Sequence, residues 1–286
     1  MSKCQTIIIM VAIGLFGGRM AAAQTPACGK LSAEQKTLAN QLLSSLHPYD
    51  CCDDTIANCL KEKPTCVLVH RLAENICRRV ADKQDKQKIT RWLSRRARSM
   101  LPSGKPAKID LSSVTPVGDE NAPVVLVEYA CARCPFCAKI TPALHESVLS
   151  GSLKGKAKFY FKTFPIRSHE NSKETGLGFM AAAEMGRFWE FALHSYNNFD
   201  RFCIKKQVEW AVAAGMDKDT FTRLVADMKI RGRLVASKKE GIVNKVEATP
   251  TFFINGRKFV GELSTEEVVD VLEEEYDRQK GIEYLK

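Results

Sequence analysis

Beyond its first two dozen residues, the 286-residue chain has no apolar run long enough to cross a bilayer. A spanning helix needs about 20 such residues, so a multi-span membrane protein is excluded. There is no internal repeat and no low-complexity tract. With 45% apolar and 27% charged residues, the balance is that of an ordinary globular protein and excludes pervasive disorder. The length suits one or two domains. What the chain has in excess is cysteine and positive charge: 11 clustered cysteines, too many for a reduced cytosolic protein of this size, and a formal charge of +10.

Residues 1–23 have the shape of a secretory signal peptide: Lys3, an apolar run from Ile7 to Phe16, Arg19, then Ala21-Ala22-Ala23 before a cleavage point. An uncleaved anchor is the alternative reading. Cys4 is too early for lipid attachment, and Cys28 lacks the preceding Leu and small residues. The expectation is a mature protein in the periplasm or another exported, oxidising space.

Ten cysteines then remain in two groups. Cys28, Cys51, Cys52, Cys59, Cys66 and Cys77 fall in a module over 24–101, and Cys131, Cys134, Cys137 and Cys203 fall in one over 114–286. A Pro- and Gly-containing linker, 102–113, separates them. Residues 24–115 hold 16 Lys and Arg against 9 acids, whereas 116–286 hold 25 against 24. The basic excess therefore belongs to the front module, much of it in Arg91, Arg95, Arg96 and Arg98.

The front module lacks β-branched alternation and reads as all-α. Ser32 and Gln35 form a capping box ahead of Leu38, Leu42, Leu43 and Leu46. A short helix from Asp53 to Lys61 ends before Pro64, and two longer ones carry Leu68–Val80 and Ile89–Met100. The later module mixes strands with helices, so an α/β sandwich is expected. Its strands are Val124–Tyr129, Lys158–Phe164 and a hairpin turning at Asn255-Gly256. A helical insertion spans about 171–246, with Phe188, Trp189 and Phe191 in its core. Ser264, with Glu267 completing the box, opens a last helix whose Glu273–Glu275 read as its exposed side.

Cys134-Pro135-Phe136-Cys137 follows a strand and opens a helix. Unpaired N–H groups and the partial positive charge at a helix start favour a thiolate on Cys134. A structural disulfide, or half of a metal site, are the plainer readings of a lone CxxC. No second CxxC or His pair at ligand spacing follows in this module, which weakens the metal reading. Glu128, within an apolar strand, is either a buried acid that trades protons with Cys137 or a partly exposed strand-end acid. Pro142 interrupts the helix, and Thr249-Pro250 is a candidate cis bond.

Taken together, the run from Val127 to Cys137, Pro142, Thr249–Gly256 and the last helix resemble the thioredoxin superfamily. The helical insertion and the segments Phe164–Ile166 and Phe188-Trp189 resemble its DsbA-like branch of exported disulfide oxidoreductases. The resemblance covers about 114–280 and implies a thioredoxin fold with a helical insertion. It implies Cys134 as exposed nucleophile, Cys137 as buried resolving thiol, Glu128 as buried acid and Pro250 as cis proline, with Pro135, Phe136 and Thr249 touching substrate. No cofactor or metal is implied beyond the Cys134–Cys137 redox couple. The implied partners are unfolded or cysteine-containing exported proteins and a membrane redox recycling partner.

Three departures matter. Phe136 stands where the strongly oxidising bacterial member of that branch has His, and Phe cannot donate to a thiolate, so a less oxidising disulfide is expected. Cys131 is a free thiol, a partner for Cys203, or a third redox thiol. The front module has no counterpart in the minimal enzyme. Its six cysteines read first as three disulfides, with metal binding or a redox role for Cys51-Cys52 as alternatives; His47 and His70 lie outside ligand spacing. If the chain turns at Pro64, Cys59 pairs with Cys66, Cys77 with Cys51 or Cys52, and the other with Cys28. The Arg-rich helix reads as a solvated face, open to an acidic partner or anionic surface; export argues against nucleic acid. An oligomer built through this module would favour a reductase or isomerase. A metal-handling protein using the CxxC as ligand is the rival from a different class.

Overall fold

A computed structural model describes residues 25–101 and 104–284. The leader expected over 1–23, and Pro102 and Ser103 of the linker, lie outside these residues. Five helices precede the sheet: α1 (Pro26–Gly29), α2 (Ala33–Leu43), α3 (Ile56–Cys59), α4 (Val67–Ala81) and α5 (Lys86–Met100). The Ser32–Gln35 capping box forms in full at the start of α2. The helix expected over 53–61 is shorter, because Thr55 takes the N-cap and accepts from the Asn58 N–H. Leu42, Ile56, Val69, Leu72, Ile76 and Ile89 make a separate core.

Three disulfides staple this core, but not in the expected pattern. The bonds are Cys28–Cys77, Cys51–Cys66 and Cys52–Cys59. Cys51 has φ 65°, and this left-handed turn sends the adjacent Cys51 and Cys52 side chains to different partners. Cys52 therefore takes Cys59, and Cys66, the N-cap of α4, is left to Cys51. Cys28, brought by α1 against α4, closes on Cys77.

The second half is a five-stranded mixed sheet in the order β1-β3-β2-β4-β5. Its strands are β1 (Val117–Gly118), β2 (Val124–Ala130), β3 (Ala157–Thr163), β4 (Thr251–Ile254) and β5 (Arg257–Lys258). Between β2 and β3 runs α6 (Pro135–Leu149). Between β3 and β4 lie α7 (Ser172–Glu184), α8 (Phe188–Asn197), α9 (Ile204–Ala213), α10 (Lys218–Ala226) and α11 (Met228–Val243), and α12 (Thr265–Gln279) ends the fold. The two-residue strand β1, missed in the sequence, pairs antiparallel with β3. Asn255 and Gly256 both have positive φ, as a tight hairpin turn requires.

Alternation along the strands sorts the core. Leu126, Phe159, Phe252 and Ile254 face α6 and α12, while Val127, Tyr129 and Phe253 face the other side with Phe164. The insertion has its own aromatic core, including Phe179, Phe188, Phe191 and Phe221. Residues after 103 are not a loose tether. Ala107 N donates to Gly256 O at 2.8 Å, and Asp110 N to Glu240 Oε2 at 2.8 Å.

The Arg-rich face is only partly solvated. Arg91, Arg95 and Arg98 are exposed, but Arg96 is fully buried against α12. Its Nη1 meets Asp270 at 2.6 Å, its Nη2 meets Glu274 at 2.6 Å, and Tyr49 donates to Glu274 at 2.5 Å. Arg71 pairs with Asp270 and Asp277, each at 2.7 Å. Glu274 and Glu275, read as exposed, are therefore buried: Glu274 against Arg96, Glu275 against Arg257 at 2.5 Å. Glu267 does not complete a capping box, because its carboxylate is drawn to Arg79 at 2.8 Å and to the Trp92 indole N–H at 2.8 Å. Ser264 still accepts from the Glu267 N–H.

Candidate active site

The sheet order brings the site together. β2 is the central strand, running parallel to β3 and antiparallel to β4. Its C-terminal end thus lies beside the start of β4, with Tyr129 opposite Thr251. From that end Cys131–Arg133 lead into α6, whose N-cap is Cys134. Pro135 suits the first helical turn, where no N–H partner is needed. The Thr249–Pro250 peptide that enters β4 is cis. The Cys134 thiol lies 3.3 Å from the Thr249 carbonyl, to which it can donate. The strand, helix and cis-proline segments thus meet at one sulfur.

The two thiols have opposite biases. Cys134 is drawn down from 9.0 to about 5, chiefly by a hydrogen bond from Cys137, against the opposing effect of burial. The N–H groups of Cys137 and Phe136 add to it. No cap hydrogen bond from the Cys134 side chain is fully formed, so these N–H groups act mainly by facing the sulfur. Cys137 is pushed well above the usual thiol range by burial, by its hydrogen bond to Cys134 and by the nearby Glu128.

Glu128 is fully buried, which removes the strand-end alternative. Burial raises its carboxyl from 4.5 to about 8, moderated by Thr141. The Thr141 hydroxyl lies 2.9 Å from each carboxylate oxygen. Thr141 follows Cys137 by four residues on α6, so both face Glu128 from one side of the helix. Sequence reasoning missed Thr141, although that spacing marks it. Pro142 lies within α6.

Cys134 is more enclosed than the resemblance implies. Only 1% of the residue is exposed, because the cis-proline segment sits against its sulfur. The exposed group is Phe136, at 68%. With Ile140, Pro250 and Leu263 it lines a shallow depression of about 140 Å³. Cys131 and Cys203 do not pair: Cys131 is a buried free thiol 3.4 Å from His169 Nδ1, and Cys203 is exposed at the N-cap of α9. Cys131 O accepts from the Tyr196 hydroxyl at 3.2 Å, which anchors the strand end.

Comparison with known proteins bears on the fold that carries this site. The oxidised BdbD of Bacillus subtilis superposes with a TM-score of 0.52 at 16% identity, covering 62% of this chain and all of that one. The thiol-disulfide exchange protein alpha-DsbA2 of Wolbachia pipientis gives 0.51 at 22% identity, covering 59% of this chain and 88% of that one. At such identities the likeness is one of fold. In sequence, the Na(+)/H(+) antiporter NhaA 1 of Mycolicibacterium vanbaalenii is 30% identical over 189 residues, 65% of this chain. The chain spans only about 30% of that relative's length. No helix among the described residues is long and apolar enough to cross a membrane. A family model described as Thioredoxin matches residues 112–274, more than half of the chain. The chain therefore belongs to the thioredoxin family, and its fold is of the DsbA-like form.

Proposed function

We propose that the chain is an exported thiol–disulfide oxidoreductase exchanging disulfides with cysteine-containing proteins through Cys134 and Cys137. The observation that carries this reading is the meeting of Cys134, at the start of α6, with the cis Thr249–Pro250 segment 3.3 Å away and the fully buried Glu128 behind Cys137, an arrangement in which Cys134 is lowered and Cys137 held high. A thiol ten times easier to ionise favours the reduced state by about 1.4 kcal/mol, or about 30 mV for a two-electron couple. A lowered Cys134 favours the dithiol, and this supports a forward reaction from enzyme disulfide to substrate disulfide.

In that reaction a substrate thiolate attacks Cys134 Sγ, breaking the Cys134–Cys137 bond and forming a mixed disulfide. Cys137 leaves as a thiolate and takes a proton from Glu128, which burial keeps protonated at neutral pH. A second substrate thiolate attacks the substrate sulfur of the mixed disulfide. Cys134 leaves readily as a stable thiolate. The substrate loses two electrons and gains a disulfide, and the enzyme gains a dithiol. A membrane redox partner would reoxidise it. Three disulfides in the front module and the leader-like start support an oxidising, exported location.

Cys137→Ser tests the sequence of events. With a reduced substrate carrying an activated sulfur, it should accumulate a mixed disulfide at Cys134, while Cys134→Ser traps nothing. Trapping at another cysteine, or at none, contradicts the reading.

A further inference from the structure

The depression beside Cys134 is bounded on one side by Leu263, 54% exposed, in the loop joining β5 to α12. That loop is held by the front module at two points. Val260 N donates to Ser99 Oγ of α5 at 3.0 Å, and Arg79 of α4 meets Glu262 at 2.7 Å. Arg79 is itself fixed, its guanidinium 4.4 Å from the Trp92 ring centre and its other nitrogen on Glu267. Ser264 lines the depression and also a second, polar cleft of about 270 Å³. The far wall of that cleft is the end of α4 and its turn: Asn75, Arg78, Arg79, Asp82 and Gln84. Arg78 and Asp82 are exposed and make no ion pair among the described residues.

We propose that the front module is the second wall of the substrate groove. Arg79 and Ser99 act as positioning residues that set Leu263 opposite Phe136. The cleft at the end of α4 takes the continuation of the same polypeptide. The occupant is an unfolded, cysteine-containing chain: an apolar residue near its cysteine rests between Phe136 and Leu263, and the chain then passes Ser264. An open groove that sets Lys139 among Phe136, Ile140, Pro250 and Leu263, next to the residues flanking Cys134, and is lined beyond them by both charge signs and two amides, suits an extended chain of mixed sequence. It suits a compact ligand of one charge less well. The proposal rests on the oxidoreductase reading above and adds where the substrate lies.

The experiment compares the wild-type chain with Ser99→Ala/Glu262→Gln and with the surface variant Arg78→Ser/Asp82→Ser. Each oxidised protein is assayed with reduced, unfolded lysozyme. Loss of one half-exposed ion pair and its neighbouring contact should raise KM about two- to fivefold. kcat and the Cys134 thiolate titration should stay in place, a split that general loosening of the fold would not produce. The surface variant should also raise KM; the one printed side-chain contact it removes is the Arg78–Asn75 hydrogen bond at the rim of the cleft. An unchanged KM in both variants overturns the proposal. So does a dimer in light scattering that the surface variant abolishes, which would assign the cleft to a second copy. If wild-type protein exchanges with neither lysozyme nor dithiothreitol, the oxidoreductase reading fails, and the proposal with it.

Discussion

At the scale of single residues, Glu128 and Cys134 work in opposite directions. In the oxidised protein, where neither active-site thiol titrates, Glu128 dominates. Its carboxyl is near 4.5 when unfolded and is raised on folding chiefly by burial, a cause that does not depend on the thiols, reaching about 8 beside the free thiols, so the folded state binds the extra proton above pH 4.5. Its contribution to stability is greatest below about pH 4.5, falls as pH rises toward the folded value, and is level beyond. The slope is at most about 1.4 kcal/mol per pH unit. Glu128→Gln should flatten this fall in denaturant midpoints of the oxidised protein between pH 5 and 8; an unaltered slope would mean that the burial does not act as described. In the reduced protein Cys134 opposes the trend, since its lowered value adds stability as pH rises from about 5 toward 9.0. Phe136 gives a second residue-scale test. Phe136→His adds a donor at the exposed lip of the site, and the Cys134/Cys137 potential should rise by tens of millivolts, about 30 mV for 1.4 kcal/mol. A potential that does not move would remove Phe136 from the tuning of the couple. The membership of the candidate site was legible in the sequence at this scale because CxxC, Glu128 and Thr249-Pro250 are local patterns. The enclosure of Cys134 was not, because it depends on a segment 115 residues away.

At the scale of elements, strands and long helices were readable from alternation and caps, and the disulfide pattern was not. The inferred Cys59–Cys66 pair relied on a turn at Pro64. The deciding feature is the left-handed backbone of Cys51, a conformation that no side-chain pattern announces. Likewise, Ser264 and Glu267 have capping-box spacing, but a charge from another helix captures Glu267. Among the three bridges, Cys28–Cys77 closes the longest loop, 49 residues. By loop entropy its removal should cost about 4 kcal/mol. Cys28→Ser/Cys77→Ser should therefore unfold at a much lower urea midpoint than wild type; a loss below about 1 kcal/mol would imply that α1 is held by packing alone.

At the scale of the whole molecule, part of the positive charge of the front module is directed inward, while Arg91, Arg95 and Arg98 face solvent. Arg71, Arg79 and Arg96 meet the acids of α12, so the two halves are joined through a desolvated ionic seam. Composition showed the basic excess, but not its partner, because the α12 acids lie 170 or more residues away in sequence. Replacing Arg96 by Met leaves buried Glu274 without its close cation, while Asp270 keeps Arg71, and should cost about 3–5 kcal/mol. Chemical denaturation should read that loss in full. A change below about 1 kcal/mol would mean that the seam does not hold the halves together. The same seam carries the loop that faces Phe136, so the docking of the front module and the shape of the substrate groove are one feature.

The central claim is that Cys134 is the activated thiol. Alkylation of the reduced protein across pH, with each adduct mapped by mass spectrometry, tests it most directly. The account predicts labelling at Cys134 with a midpoint near pH 5 and an unreactive Cys137 throughout the neutral range. A Cys134 midpoint near the ordinary thiol value of 9.0, or first labelling at Cys137, would contradict it.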